Sequence, residues 1–105
     1  MTAKEFILAL PEQVKPEMLE GVDTLFHFDI AGDNGGQFTV EVKDNKISAT
    51  EGLTGEAKCA IKAKDTNLMG VVTGSLNPMM AVLTGKIKIS NQGEMMKCAK
   101  MFGLM

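Results

Sequence analysis

The chain has no tryptophan and no tyrosine, and it contains one histidine and two cysteines among its 105 residues. Cys59 and Cys98 are not in a C-x-x-C spacing, which argues against a disulfide framework and against a zinc site. We expect both to be small buried apolar residues in a reducing compartment. The net charge of −2 comes from charges of both signs scattered along the chain, so no basic stripe for nucleic acid is expected.

Long hydrophobic runs are also missing. The apolar run Phe6 to Leu10 is too short for the core of a signal peptide, and Pro11 follows it without a cleavage site. No segment is long and apolar enough to span a membrane. These absences predict a cytoplasmic protein, and the length predicts a single domain over residues 1–105.

Motifs of known catalytic chemistry are not found. The sequence has no G-x-S-x-G elbow, no Walker or dinucleotide glycine pattern and no H-E-x-x-H. His27 lies on the polar side of a predicted strand, whereas Cys59 and Cys98 lie in apolar stripes, so a Cys-His pair is not expected. We therefore predict no enzyme, no catalytic residue, no metal site and no cofactor.

Alternating residues predict five strands. Phe26, Phe28 and Ile30 face one side of the first strand, with His27 and Asp29 on the other. Turn chemistry at 32–36 and at 44–45 separates it from the second and third strands. Two further alternating segments, at 57–64 and 86–90, complete the set. With helices between and around them, these strands predict an α+β fold: a five-stranded, mostly antiparallel sheet with helices packed on one face.

Methionine is abundant: seven of the nine methionines lie in the last forty residues, where three helices are predicted. The helix after Asn77-Pro78 is apolar all round and must be covered by protein or by another apolar body. The last helix follows Asn91 and carries one apolar stripe at helical spacing, formed by Met95, Cys98, Ala99 and Phe102, with Met96 and Met101 beside it. Methionine adapts to variable apolar partners, so these helices fit either a soft core or a ligand cavity.

The segment from Thr73 to Ile89 resembles the sterol carrier protein 2 family. Members carry the signature G-x-x-N-P-x-x-A-x-x-x-G-K-[IL]-K-I between two helices and the last strand, and this sequence matches it from Gly74 to Ile89. Looser agreement extends over nearly the whole chain. The resemblance implies a stand-alone, single-domain member, which we expect in a prokaryote, and a tunnel for fatty acids, fatty acyl-CoA, phospholipids or sterols.

From the resemblance we expect a non-catalytic lipid carrier whose partners are a lipid ligand, no nucleic acid and at most a transient membrane contact. The expected cavity lining comprises Phe26, Phe28, Phe38, Leu68, Val72, Met79, Met80, Leu83, Met95, Met96, Cys98, Ala99 and Phe102. Two alternatives stay open. One is a methionine-rich protein-interaction module without a lipid cavity, and the other is an acyl-CoA hydrolase or transferase that uses Cys98.

Overall fold

The computed structural model describes residues 1–98, in which five strands form one sheet. The sheet order is β3-β2-β1-β4-β5, and every neighbouring pair is antiparallel except the central β1–β4 pair. The sheet is therefore mostly antiparallel, as predicted. The strands are β1 (Thr24–Ala31), β2 (Gly36–Lys43), β3 (Lys46–Glu51), β4 (Cys59–Lys64) and β5 (Ile87–Ile89).

Alternation along the strands gives the sheet one apolar face. Phe28 on β1 is in register with Phe38 on β2 and with Ile61 on β4, and Ile61 is in register with Ile89 on β5. Residues in register lie on the same side of a sheet, so these side chains form a continuous apolar surface across four strands. This is the face that the helices cover.

Four α-helices belong to the described part of the chain. A 3₁₀ turn at Pro16–Met18 links the first of them to β1. The first helix packs on β2 and β3, the second and fourth pack on β4, and the third packs on β5. The helices are α1 (Ala3–Gln13), α2 (Asp65–Thr73), α3 (Pro78–Leu83) and α4 (Gln92–Cys98).

Helix α1 continues through Pro11 to Gln13, although a proline ordinarily ends a helix. A proline inside a helix removes one backbone hydrogen bond. The Val14 N–H still donates to the Leu10 carbonyl at 3.0 Å, which closes the next turn. Ile7 and Leu10 are fully buried, so packing holds the last turn in place.

The two helices that border the predicted ligand region are capped by asparagine. The Asn77 Oδ1 accepts from the N–H groups of Met79 and Met80 at 2.9 and 3.2 Å, and Pro78 occupies the first helical position. The Asn91 Oδ1 accepts from the Glu94 N–H at 3.1 Å. The sequence predicts a helix after each of these asparagines, and the two caps fix where α3 and α4 begin.

Candidate functional site

An apolar cavity of about 390 Å³ lies between α2, α3 and α4 and the β4–β5 side of the sheet. Its floor is formed by inward-facing residues of β1, β4 and β5, and its walls by the helices. The described lining residues are Phe6, Phe28, Ile61, Leu68, Val71, Val72, Pro78, Met79, Val82, Leu83, Ile87, Ile89, Gln92, Met95 and Met96.

The lining is almost free of hydrogen-bonding side chains. Among residues 1–98, Gln92 is the one polar residue in the wall, and no charged side chain contributes to it. The cavity is also open, since Met79, Leu83 and Met96 are 74%, 77% and 66% exposed. A site with this composition discriminates ligands by shape and hydrophobicity rather than by hydrogen bonding.

Helix α3 forms the outer wall and is poorly covered. The sequence shows that this helix is apolar all round, yet Ala81 is its only buried residue. Five of its six residues are partly or fully accessible to solvent, because α3 lies at the edge of the helical layer on the short edge strand β5. The protein itself therefore leaves apolar surface on α3 uncovered.

Seven of the predicted lining residues lie in the cavity wall. They come from one strand and three helices, and the fold brings them to one place. Whether they contact a ligand stays a prediction. These residues are Phe28, Leu68, Val72, Met79, Leu83, Met95 and Met96.

Four other predicted residues are not among the described lining of this cavity. Phe26 and Phe38 are 0% and 1% exposed, and lie in the closed part of the core; the Phe26 ring packs against Phe28 at 6.2 Å between centroids. Met80 on α3 is more than half exposed to solvent. Cys98 is buried in the core instead. Alternation and helical spacing identified apolar positions, but could not separate core from cavity. Ala99 and Phe102 lie outside the described residues.

Several lining residues were missed by the sequence reasoning. Ile61, Ile87 and Ile89 had the inward-facing alternation of a strand, but nothing local showed that β4 and β5 form the cavity floor. Phe6 reaches the cavity from α1, far away in sequence. Gln92 directly follows Asn91 at the start of α4. Its position close to Met95 and Met96 in the sequence is the feature from which its place in the lining could have been predicted.

The two cysteines have properties of buried thiols. Burial, with a smaller effect from the negative charge of Glu94, raises the pKa of Cys98 to about 11. Burial also raises the pKa of Cys59, although hydrogen bonds from Asn91 and Ser90 oppose this effect. His27 lies on the opposite face of the sheet, where its Nε2 donates to the Thr54 carbonyl at 2.8 Å. The structure therefore forms no Cys-His pair.

The part of the chain up to residue 98 also lacks a cluster of three or more side chains able to hold a metal ion. Within the same residues, no helix combines the length and apolar character needed to cross a bilayer.

The fold and cavity define a small α+β domain in which an apolar space lies between one sheet and its helices. The model of the SCP-2 sterol transfer family matches residues 4–105, and the chain belongs to that family. The resemblance found in the signature from Gly74 to Ile89 is thereby confirmed.

Related proteins give the same result. The chain is 35% identical over 85 residues to sterol carrier protein 2 of Gallus gallus, a match that covers 77% of this chain and 16% of the relative. The solution structure of sterol carrier protein domain 2 of Helicoverpa armigera has a TM-score of 0.74 at 25% identity, covering 94% of this chain and 81% of that one. Palmitated SCP2L2 from Aedes aegypti has a TM-score of 0.71 at 22% identity, covering 97% and 95%, and shares the fold.

Proposed function

We propose that this chain is a non-catalytic lipid carrier that holds a fatty acid, fatty acyl-CoA, phospholipid or sterol-like ligand in the apolar cavity. The observation that supports this proposal most directly is the cavity. It has a volume of about 390 Å³, and Gln92 is the one polar residue among the described lining residues. Its volume falls within the roughly 300–1,000 Å³ range of small-molecule sites.

The chemistry of the lining supports an aliphatic ligand. Moving one methylene from water to an apolar site is worth about 0.8 kcal/mol, so a long acyl chain gains affinity without specific polar contacts. Methionines at the wall add adaptability, because their unbranched side chains repack around ligands of different shape. Met79, Met95 and Met96 all contribute to the wall.

The polar end of the ligand is best placed at the mouth. No charged side chain of residues 1–98 lines the cavity, and a buried unpaired carboxylate or phosphate would be costly there. Gln92 is exposed at the start of α4 and offers an amide for hydrogen bonding beside the opening. We therefore propose that the aliphatic part enters and the headgroup remains near solvent.

The relatives support the same function. Their names describe sterol carrier proteins, and the Aedes aegypti structure is of a palmitated form of that protein. Because this chain spans only 16% of the Gallus gallus relative, nothing beyond the carrier domain is transferred to it. The cytoplasmic location stays a prediction from the sequence.

The Cys98 enzyme alternative is disfavoured by the environment of the thiol. The thiolate is the nucleophile in cysteine catalysis, and reactive cysteines have lowered pKa values and some exposure. Cys98 is 1% exposed and its pKa is raised to about 11, so about one thiol in ten thousand is ionised at pH 7.

A protein-interaction module remains the second candidate because Met79, Met80 and Met96 are exposed. The two functions differ in what happens to a soluble lipid probe. A lipid carrier binds single molecules of a fluorescent fatty acid from solution. A protein-interaction module needs no affinity for that probe.

The experiment is lipid analysis and ligand displacement on the purified protein. We expect native mass spectrometry to detect co-purified lipid, and a fluorescent fatty acid to bind and be displaced by unlabelled fatty acid. Absence of both signals would contradict the proposal.

Leu68→Trp, which fills the cavity, should weaken probe binding at least roughly tenfold by removing the space for the chain. Leu53→Trp is the matched control, because Leu53 is exposed outside the cavity and should leave probe binding unchanged. Circular dichroism establishes that both variants are folded. Equal loss of binding in both would count against the cavity as the site.

A further inference from the structure

The floor of the cavity runs across three neighbouring strands. Its described lining includes residues of β5, β4 and β1, but none of β2 or β3. Neighbouring strands lie about 4.8 Å apart, so the floor extends about 10 Å from the edge strand β5 towards the centre of the sheet. The cavity therefore has one end at β5 and another at β1.

The two ends differ in exposure. At the β5 end, Met79 and Leu83 of α3 line the cavity and are largely exposed, so this end is the mouth. At the β1 end, Phe28 is 2% exposed. Its register partner on β2, Phe38, is 1% exposed and is not among the described lining residues. The cavity therefore stops between β1 and β2.

Phe6 stands at this closed end. It is the one residue of α1 in the lining, and α1 packs on β2 and β3, beyond the point where the cavity stops. Phe6 is 8% exposed. Ile7 and Leu10 on the same helix are buried in the core and do not line the cavity. The Phe6 side chain thus borders the cavity on one side and packed protein on the other.

The volume of the cavity limits what it can hold. A methylene group takes about the space of a water molecule in the liquid, about 30 Å³, so about 390 Å³ accommodates one chain of about 13 carbons. The two long acyl chains of a membrane phospholipid exceed this space. With the headgroup at the mouth, the methyl end of a single chain points towards Phe6.

We infer that Phe6 ends the space for the ligand and thereby sets the longest acyl chain that the cavity takes up completely, about 13 carbons. The inference rests on the proposed function and narrows it, because it names a single acyl chain as the ligand and one residue as the determinant of its length. Carbons beyond this limit remain in water at the mouth and add no affinity.

A residue that only packs the core would give a different result. Phe6→Ala would then lower stability without changing which chain length binds most tightly. If Phe6 ends the cavity, its truncation also lengthens the space for the ligand. Replacing a large buried side chain by alanine leaves a dry apolar void of about 100 Å³ that apolar ligands enter, which corresponds to about three methylenes. The preferred chain length therefore separates the two roles.

The test is displacement of one fluorescent fatty acid from the full chain by saturated fatty acids of about 8 to 18 carbons. Each methylene moved out of water strengthens binding about fourfold, so affinity should rise up to about 13 carbons and then stay level. In Phe6→Ala the rise should continue to about 16 carbons. The affinity of palmitic acid relative to lauric acid should therefore increase at least roughly tenfold in this variant.

Two further variants sharpen the test. Phe6→Leu removes about one methylene of volume and should raise the same affinity ratio about fourfold, which keeps the test decisive if Phe6→Ala does not fold. Ile7→Ala is the matched control, because it truncates a buried side chain of the same helix that does not line the cavity. It should change the ratio less than about twofold. Circular dichroism establishes that the variants are folded.

Three outcomes would overturn the inference. They are an affinity of the unmodified chain that keeps rising to about 18 carbons, a ratio that is unchanged in the folded Phe6 variants, and an equal rise of the ratio in Ile7→Ala. Each of these leaves the proposed function standing, because fatty acids still bind. Failure of every fatty acid to displace the probe would instead contradict the proposed function, and this inference with it.

Discussion

Two regions of the helical layer cover the same apolar sheet face with different results. Under α1 the layer is closed, with Ile7 and Leu10 buried on β2 and β3. Under α2, α3 and α4 it encloses a cavity on β4 and β5. The sheet is apolar in both regions, so the difference arises from the helices.

The closed region is built by one long helix of 11 residues. Its start is fixed by a capping box, in which Thr2 Oγ1 accepts from the Glu5 N–H at 3.1 Å and Glu5 Oε1 accepts from the Thr2 N–H at 2.8 Å. The open region is covered by α2 and α3, of 9 and 6 residues, together with α4, which is described from Gln92 to Cys98. The short helices α2 and α3 bury little surface each, and the space beside them becomes the cavity.

The largest expected difference between the regions concerns the cost of truncating an aliphatic side chain. Ile7→Ala, in the closed region, should lower the free energy of unfolding by about 3 kcal/mol, because it leaves a void in a packed core. Leu83→Ala is the counterpart in the open region, and should change it by less than about 0.5 kcal/mol because Leu83 is largely exposed. Urea denaturation measures both, and similar losses would show that the open region is closed in solution.

The next largest expected difference is in the loss of unfolding free energy when a valine is replaced by the larger phenylalanine. Val42→Phe overfills the closed core and should cost about 1–3 kcal/mol of unfolding free energy. Val72→Phe projects into the cavity and should cost less, while weakening fatty-acid binding by roughly tenfold. Thermal unfolding and probe titration are the measurements. Equal destabilisation by the two substitutions would argue that no space exists at Val72.

The smallest expected effect concerns the buried thiol of Cys98 on α4. The unfolded chain releases the Cys98 proton near pH 9, whereas the folded protein keeps it until about pH 11. In this window the unfolded state binds fewer protons, so the free energy of unfolding should fall with rising pH, by roughly 1–2 kcal/mol. Urea denaturation between pH 8 and 11 checks this.

In Cys98→Ala most of this pH dependence should disappear, and adding Cys59→Ala should remove the rest, since burial also raises the pKa of Cys59. If the unfolding free energy of the double variant still fell with pH as in the unmodified protein, the effect would belong to other groups. Cys98→Ala should leave fatty-acid binding intact, because Cys98 does not line the cavity.

Much of the fold could be predicted from local patterns. Alternation from Phe26 to Ile30 predicted β1 and its apolar face, and Asn77-Pro78 predicted the start of α3. The continuation of α1 through Pro11 could not be predicted, because it depends on burial of Ile7 and Leu10 against distant strands. Local sequence patterns indicate which secondary structure a segment prefers. Whether that segment extends further depends on packing against residues that are distant in the sequence.

The candidate site was predicted less completely for the same reason. Leu68 and Met95 are apolar at helical spacing and line the cavity, but Cys98 shares that spacing with Met95 and is buried in the core. Phe26 and Phe28 share one strand face, yet only Phe28 reaches the cavity. Periodicity assigns a residue to a face, and a face can border either protein or empty space.

The sequence by itself determined the elements, their apolar faces, the family signature and the surplus of methionine in the last helices. Tertiary structure alone decided that β4 and β5 form the cavity floor, that Phe6 reaches it from α1, and that α3 stays exposed. The reason is physical: hydrogen bonding and side-chain periodicity act over a few residues, whereas a cavity is the volume that remains when distant elements of fixed length pack together.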